Sequence, residues 1–190
     1  MKTIFKLFVF FNGLLLFACE PAKDKIRKNI EEMQSTHIVF PLDEMQHCKR
    51  DSSLSDSCLW KYAKLKLVHY IDSSQCTSCY MKKIDEKYNE LYRLEKDTKN
   101  QFSSIFIIEQ RGNDDNYKKH ISKLYSLTMY VDTMHVFAKM NLKIPQEPMY
   151  HTFLLDENNN VILVGNPLFN AEVHKVLKHI VKEKLGKSYL

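Results

Sequence analysis

Two cysteines separated by two residues stand where one predicted secondary-structure element gives way to another, and this arrangement strongly limits the folds open to the chain. Leu65–Asp72 is short, apolar and partly alternating, as expected of a buried strand. The motif Cys76-Thr-Ser-Cys79 follows closely. From Tyr80 to about Leu94, apolar residues recur at spacings of three and four with charges between them, as in an amphipathic helix. The sequence therefore predicts a strand, a short cysteine-containing loop and a helix in succession.

The rest of the chain continues to alternate between strand and helix patterns. Further strands are predicted at 102–108, 127–131, 150–156 and 161–164, and a last helix at 171–185. A helix face between the second and third strands is marked by residues such as Tyr117 and Tyr125. Alternation implies parallel strands joined by crossover helices, and the late hairpin makes the sheet mixed. The predicted fold class is α/β, with a central mixed sheet flanked by helices.

The position of the first cysteine gives it a chemical role. At a helix N-terminus, unpaired backbone N–H groups and the helix dipole stabilise an anion, including a thiolate. A cysteine there can have a pKa well below the ~8.5 of a free thiol. Cys76 is the candidate catalytic nucleophile and Cys79, one turn further on, the candidate resolving thiol. Zinc sites use the same spacing, but a strand-to-helix junction favours redox chemistry.

From about Lys64 to Leu185 the chain resembles the thioredoxin superfamily, and most closely the TlpA-like envelope thioredoxins. Besides the CxxC motif, Thr152-Phe-Leu-Leu-Asp156 and the following Asn158-Asn-Asn-Val161 are similar to the family's "TFLID" strand, turn and final strand. The resemblance implies a thioredoxin-like three-layer fold. It also implies thiol–disulfide exchange with protein thiol and disulfide substrates. No cofactor motif is recognised.

Three positions depart from the family's pattern. Gln75 stands where these thioredoxins usually carry a Trp, and Tyr70 where thioredoxins proper place a buried carboxylate. Tyr150 aligns with the family's cis-proline and Pro148 lies two residues early, so either the loop shifts to present Pro148 or the cis peptide is missing. By the same resemblance, Pro148, Met149 and Tyr150 are the residues expected to contact an extended substrate backbone.

The N-terminus predicts export. Residues 1–18 combine a basic start with an apolar run too short to span a bilayer, which is typical of a signal peptide. Leu16-Phe-Ala-Cys19 resembles a bacterial lipobox, and this implies lipidation of Cys19 and attachment to a lipid membrane. Glu20 after the cysteine favours the outer membrane, facing the periplasm, in the bacterial cell envelope. An ordinary signal peptide and a retained anchor helix are the alternatives.

The mature chain divides into a lipid-anchored tether and N-terminal extension, residues 19–60, and a thioredoxin-like domain, residues 61–190. In an oxidising compartment, Cys48 and Cys58 are expected to form a structural disulfide that stabilises the fold by roughly 3 kcal/mol. Two rivals remain open. One is a zinc site that shares the CxxC cysteines, and the other is exchange between these thiols and the CxxC pair.

Composition argues against a nucleic-acid partner, and the histidines leave other functions open. A net charge of +5 without a dense basic block gives no strong case for nucleic acid. The alternative functions are a non-catalytic binding or adapter lipoprotein with a structural disulfide, and a copper carrier that pairs the cysteines with His135 or His151. We expect His151 to alternate outward on its strand and His135 to cap or pack locally, so no metal ligand is assigned.

Overall fold

The computed structural model describes residues 20–34, 36–47, 59–110 and 127–186. The signal peptide with Cys19, the Cys48–Cys58 pair and the helix face marked by Tyr117 lie outside these residues. Predictions about them stay predictions.

One six-stranded mixed sheet organises the described chain. Its strands are β1 (Gln46–His47), β2 (Leu65–Ile71), β3 (Phe102–Glu109), β4 (Thr128–Asp132), β5 (Thr152–Leu155) and β6 (Val161–Val164). They lie in the order β1-β4-β3-β2-β5-β6. The three strands β2, β3 and β4 run parallel to one another, whereas β1, β5 and β6 are each antiparallel to their neighbours.

The strands β2 and β3 form the centre of the sheet, and every residue in both of them is buried. Such near-continuous apolar runs are typical of parallel strands that are covered on both faces. The helix α2 (Thr77–Asp97) joins them as a crossover. The predicted mixed α/β sheet with its late hairpin is confirmed.

Helices cover both faces of the sheet and make the fold three-layered. On one face, α2 and α4 (Ala171–Leu185) contribute Met81, Ile84, Leu177 and Val181 to a core with β2 and β3. On the other face, a second core contains Met33 from α1 (Glu20–Gln34) and Phe137 from α3 (Val136–Met140). The longer helices α1, α2 and α4 each present an apolar stripe to the sheet because their apolar residues recur every three or four positions.

The segment at 20–36, predicted as a tether with a short helix around 24–34, forms the longer helix α1 and packs on the sheet. Its Met33 is only 1% exposed, and Lys25 Nζ lies 2.9 Å from Glu147 Oε1 across the surface. The proposed boundary at residue 60 stays a prediction. No helix in the described part of the chain is both long and apolar enough to cross a bilayer.

The turn between β5 and β6 is closed by side chains. The Asp156 carboxylate accepts hydrogen bonds from the backbone N–H groups of Asn158 (2.9 Å) and Asn160 (2.8 Å), and Asn159 adopts a left-handed conformation with φ 64°. From β2, the nearly buried Lys66 donates to the carbonyl oxygens of Asp156 (3.3 Å) and Glu157 (2.8 Å). Those contacts hold the hairpin beside the central strands.

Candidate functional site

The CxxC motif lies where the central strand β2 passes into the helix α2. Cys76 is the N-cap of α2, and its Sγ atom is bonded to that of Cys79 at 2.19 Å, with 5.3 Å between the Cα atoms. Both cysteine residues are exposed. The predicted placement at a strand-to-helix junction, and the predicted proximity of the two sulfurs, are confirmed.

The environment of Cys76 suits a sulfur anion. Its Sγ atom accepts a hydrogen bond from the backbone N–H of Cys79 at 3.3 Å, and the Ser78 hydroxyl lies 3.5 Å away. Because helix N–H groups and the dipole point toward the N-cap, reduction would leave the Cys76 thiolate in a favourable field. This is the setting in which a cysteine becomes an efficient nucleophile.

The loop before Cys76 is held by polar contacts. The Asp72 Oδ1 atom accepts from Ser74 N (3.2 Å) and Ser74 Oγ (2.8 Å), and the Asp72 carbonyl accepts from Gln75 N at 3.1 Å. A carboxylate from the neighbouring strand reaches the same loop, since Ser73 N donates to Glu109 Oε2 at 3.1 Å. The loop is therefore fastened both to itself and to the end of β3.

Glu109 is a buried carboxylate that the sequence analysis did not identify. It also accepts a hydrogen bond from the Tyr70 hydroxyl, and its Oε2 atom lies 3.1 Å from His135 Nδ1. Burial, and then the hydrogen bond from the Tyr70 hydroxyl to Glu109, raise the pKa of Tyr70 well above its usual range. His135 was expected to cap or pack locally. It does occupy the N-cap position of α3, but its side chain makes no capping hydrogen bond there, and its ring reaches across to Glu109 at the end of β3.

His151 lies on the other side of the loop and is only 3% exposed. Its Nδ1 atom is 3.1 Å from Gln75 Nε2, and its Nε2 atom is 2.9 Å from the Pro145 carbonyl oxygen. The prediction that His151 points outward from a strand was wrong. The strand β5 begins only at Thr152, and His151 ends a single 3-10 turn, so strand alternation does not apply to it.

The first turn of α2 is anchored through Tyr80, the residue after Cys79. Its hydroxyl lies 2.8 Å from His69 Nδ1, 3.2 Å from Thr152 Oγ1 and 2.9 Å from Asn166 Nδ2. Burial raises the pKa of Tyr80 to about 12 and lowers that of His69 to about 3. Both side chains are therefore neutral near pH 7, and they tie the helix start to β2, β5 and the segment before α4.

Comparison with known proteins finds similarity among solved structures. No protein-family model matches this chain, and no curated protein matches it. Similar solved structures include the C-terminal domain of an uncharacterized protein from Bacteroides fragilis (18% identity, 75% of this chain and 95% of that chain covered, TM-score 0.48). A domain of a possible thiol-disulfide isomerase from Cytophaga hutchinsonii is 20% identical over 64% of this chain and 79% of its own, with a TM-score of 0.44. The thioredoxin domain of a thiol-disulfide oxidoreductase from Bacteroides vulgatus is 15% identical over 64% and 81% of the two chains, with a TM-score of 0.46.

The topology and the place of the disulfide decide the architecture. A parallel central strand leads into a CxxC at a helix N-terminus, and an antiparallel hairpin lies beside that strand. The chain has a thioredoxin-like fold. In this fold the CxxC disulfide lies at the edge where the parallel strands end, and there it is open to solvent.

The thioredoxin-like domain places the three predicted substrate-contacting residues in one 3-10 turn, Pro148–Tyr150. Pro148 and Met149 are exposed, whereas Tyr150 is 2% exposed and packs in the core with Phe137 and Trp60. No peptide bond among the described residues is cis. Of the two outcomes foreseen for this loop, the described chain therefore has the one without a cis peptide, and Tyr150 is buried rather than presented to a substrate.

The structure bears on the copper alternative through His151. Both ring nitrogens of His151 already have hydrogen-bond partners. Within the residues that the structure describes, no three His, Cys, Asp or Glu side chains are grouped closely enough to hold a metal ion. A zinc site shared with Cys48 and Cys58 involves residues outside those described.

Proposed function

We propose that the protein exchanges thiols and disulfides with protein substrates through Cys76 and Cys79. The observation that carries this proposal is an exposed disulfide whose first sulfur, at the N-cap of α2, accepts a backbone N–H. Such a bond can be reached by a partner, and its reduced form is stabilised as a thiolate. The names of the oxidoreductase and isomerase neighbours agree with this chemistry.

The exchange balances as two nucleophilic displacements. In the reductive direction, the Cys76 thiolate attacks one sulfur of a substrate disulfide, and the other substrate sulfur leaves as a thiolate. Cys79 then loses its proton to solvent and attacks Cys76 Sγ. That step forms the Cys76–Cys79 disulfide and releases the second substrate thiolate, so two electrons have passed to the substrate. A dithiol electron donor restores the reduced protein and sustains reduction or isomerisation.

A trapping experiment tests the exchange. In Cys79→Ala the mixed disulfide cannot be resolved, so we expect covalent complexes with partner proteins that accumulate and disappear on reduction with a small dithiol. The control is the double variant Cys76→Ala/Cys79→Ala, which has no attacking sulfur and should trap nothing. A Cys79→Ala protein that traps no partner, together with a wild-type potential below about −300 mV, would identify a structural disulfide in an adapter domain instead.

We further propose that the protein acts in the bacterial cell envelope as a lipoprotein anchored through Cys19, on the periplasmic face of the outer membrane. The sequence of residues 1–19 supports this proposal. Cells grown with a labelled fatty acid should incorporate label into the wild type, and the protein should fractionate with the outer membrane. The Cys19→Ala variant should lose both the label and the membrane association. Label retained in that variant would contradict the lipid anchor.

A further inference from the structure

Gln75, the residue immediately before the N-cap cysteine, is held by its side chain as well as by its backbone. Its Nε2 atom lies 3.1 Å from His151 Nδ1 and 3.4 Å from the Tyr70 carbonyl oxygen. Its backbone N–H donates to the Asp72 carbonyl. Gln75 is partly exposed, whereas His151 is buried. A side chain at the rim of the site is thus anchored on a group in the interior.

The hydrogen-bond partners determine which nitrogen of His151 carries the proton. The Pro145 carbonyl oxygen can only accept, so the nitrogen 2.9 Å from it, Nε2, must donate. In the neutral ring Nδ1 is then the acceptor, and it receives the N–H of the Gln75 amide. The ring itself is seated by the Tyr70 ring, whose centroid is 4.8 Å away. His151 is therefore a preorganised acceptor for Gln75.

We propose that His151 is a positioning residue for exchange at Cys76, acting through Gln75. The inference rests on the proposed function and deepens it. Cys76 Sγ benefits from the Cys79 N–H only while the N-cap keeps its place over the first turn of α2. Gln75 is the covalent neighbour of that N-cap. Releasing the Gln75 amide from His151 lets the N-cap shift and weakens the stabilisation of the Cys76 thiolate. The disulfide form depends less on that stabilisation than the reduced form does.

Two substitutions of His151 separate the acceptor from the bulk of the side chain. In His151→Asn, an oxygen can take the place of Nδ1 and still accept from Gln75, although the bond to Pro145 is lost. In His151→Gln, an amide can still reach the Pro145 carbonyl, but a carbon replaces Nδ1 and the acceptor is gone. His37→Gln, at an exposed residue distant in sequence from the loop, is the matched control.

The readout is the equilibrium of the Cys76–Cys79 couple with glutathione. Losing one hydrogen bond that favours the thiolate form should raise the equilibrium constant for oxidation about fivefold in His151→Gln. That change corresponds to a potential about 20 mV more negative. The His151→Asn and His37→Gln proteins should stay within twofold of the wild type. Equal shifts in the Asn and Gln variants, or none in His151→Gln, would overturn the positioning role.

Gln75→Met removes the same hydrogen bond by changing its partly exposed partner. It provides a second test if the His151→Gln protein does not fold. It should reproduce the fivefold shift, and the double variant with His151→Gln should shift no further. A Gln75→Met protein with the wild-type potential, or additive effects in the double variant, would reject the proposal. The glutathione equilibrium needs no protein substrate, so its outcome is distinct from the trapping experiment that decides the proposed function.

Discussion

The two ends of α2 are built in different ways. At its N-terminal end, contacts come from distant segments, because Glu109, His151 and Asn166 all reach residues that flank the cysteines. At its C-terminal end, contacts are local. The Thr98 hydroxyl lies within 3.1 Å of the Leu94 carbonyl, the Glu95 carbonyl and Phe102 N–H, and Glu95 Oε1 accepts from Ser104 N–H at 2.5 Å.

The N-terminal end carries the exposed disulfide, and we call it the working end. The C-terminal end terminates the helix, and we call it the closing end. The C-terminal end saturates its own backbone groups with nearby side chains, and Thr98 is only 3% exposed. The N-terminal end leaves both cysteines exposed and holds their neighbours, rather than the sulfurs themselves, with long-range contacts. These contacts fix the position of the two cysteines without covering the disulfide between them. Substitutions at the two ends should consequently affect different properties.

The largest expected effect is at the closing end, in Glu95→Gln. Burial raises the pKa of Glu95 to about 7, against the opposing hydrogen bond from Ser104 N–H. The folded protein therefore holds this proton more tightly than the unfolded chain. Its contribution to stability is present at pH 4.5 and below, and is lost as the pH rises through 7. Relative to wild type, the variant should gain up to about 3 kcal/mol between pH 5 and pH 8.

Urea unfolding of the oxidised proteins across that pH range measures the gain. Glu86→Gln, at an exposed position of the same helix, makes the same charge change away from the buried site and is the matched control. The glutathione equilibrium of Cys76 and Cys79 should be unchanged in both variants. A Glu95→Gln protein whose stability runs parallel to that of the wild type at every pH would contradict the assigned ionisation.

A smaller effect is expected at the working end, in Tyr80→Phe. The change removes the hydroxyl that joins His69, Thr152 and Asn166, and it should cost about 1–2 kcal/mol. The Tyr80 backbone N–H, bonded to the Cys76 carbonyl at 3.0 Å, should lose protection from hydrogen exchange. The amide of Thr98 should keep its protection. Tyr92→Phe, at an exposed position on the same helix, is the control. Equal loss of hydrogen-exchange protection at both ends of α2 would contradict the proposed difference between them.

The two ends also differ in how much the sequence reveals. Periodicity and the CxxC spacing predicted β2, α2, the hairpin and the proximity of Cys76 to Cys79, because all of these depend on local pattern. Glu109 was missed, although a signal existed. It ends a strand parallel to β2, so its side chain lies at the edge where the CxxC loop begins.

His151 carried no comparable signal. Whether it faces inward depends on the 3-10 turn Pro148–Tyr150, which delays the start of β5 from the predicted residue 150 to Thr152 and leaves His151 outside the strand. Its partner Gln75 is 76 residues away in sequence. Pairings of that kind arise only in the tertiary structure, and the periodicity of a single sequence cannot predict them.

The exposure of the disulfide has a kinetic consequence. Since Cys76 and Cys79 both lie at the surface at the start of a folded helix, an attacking sulfur can reach them without local unfolding of the protein. In the proposed exchange, the rate is then set by encounter and alignment with the attacking group, and the rate of global unfolding does not limit it. Substitutions that stabilise the interior of such a protein need not slow the proposed reaction.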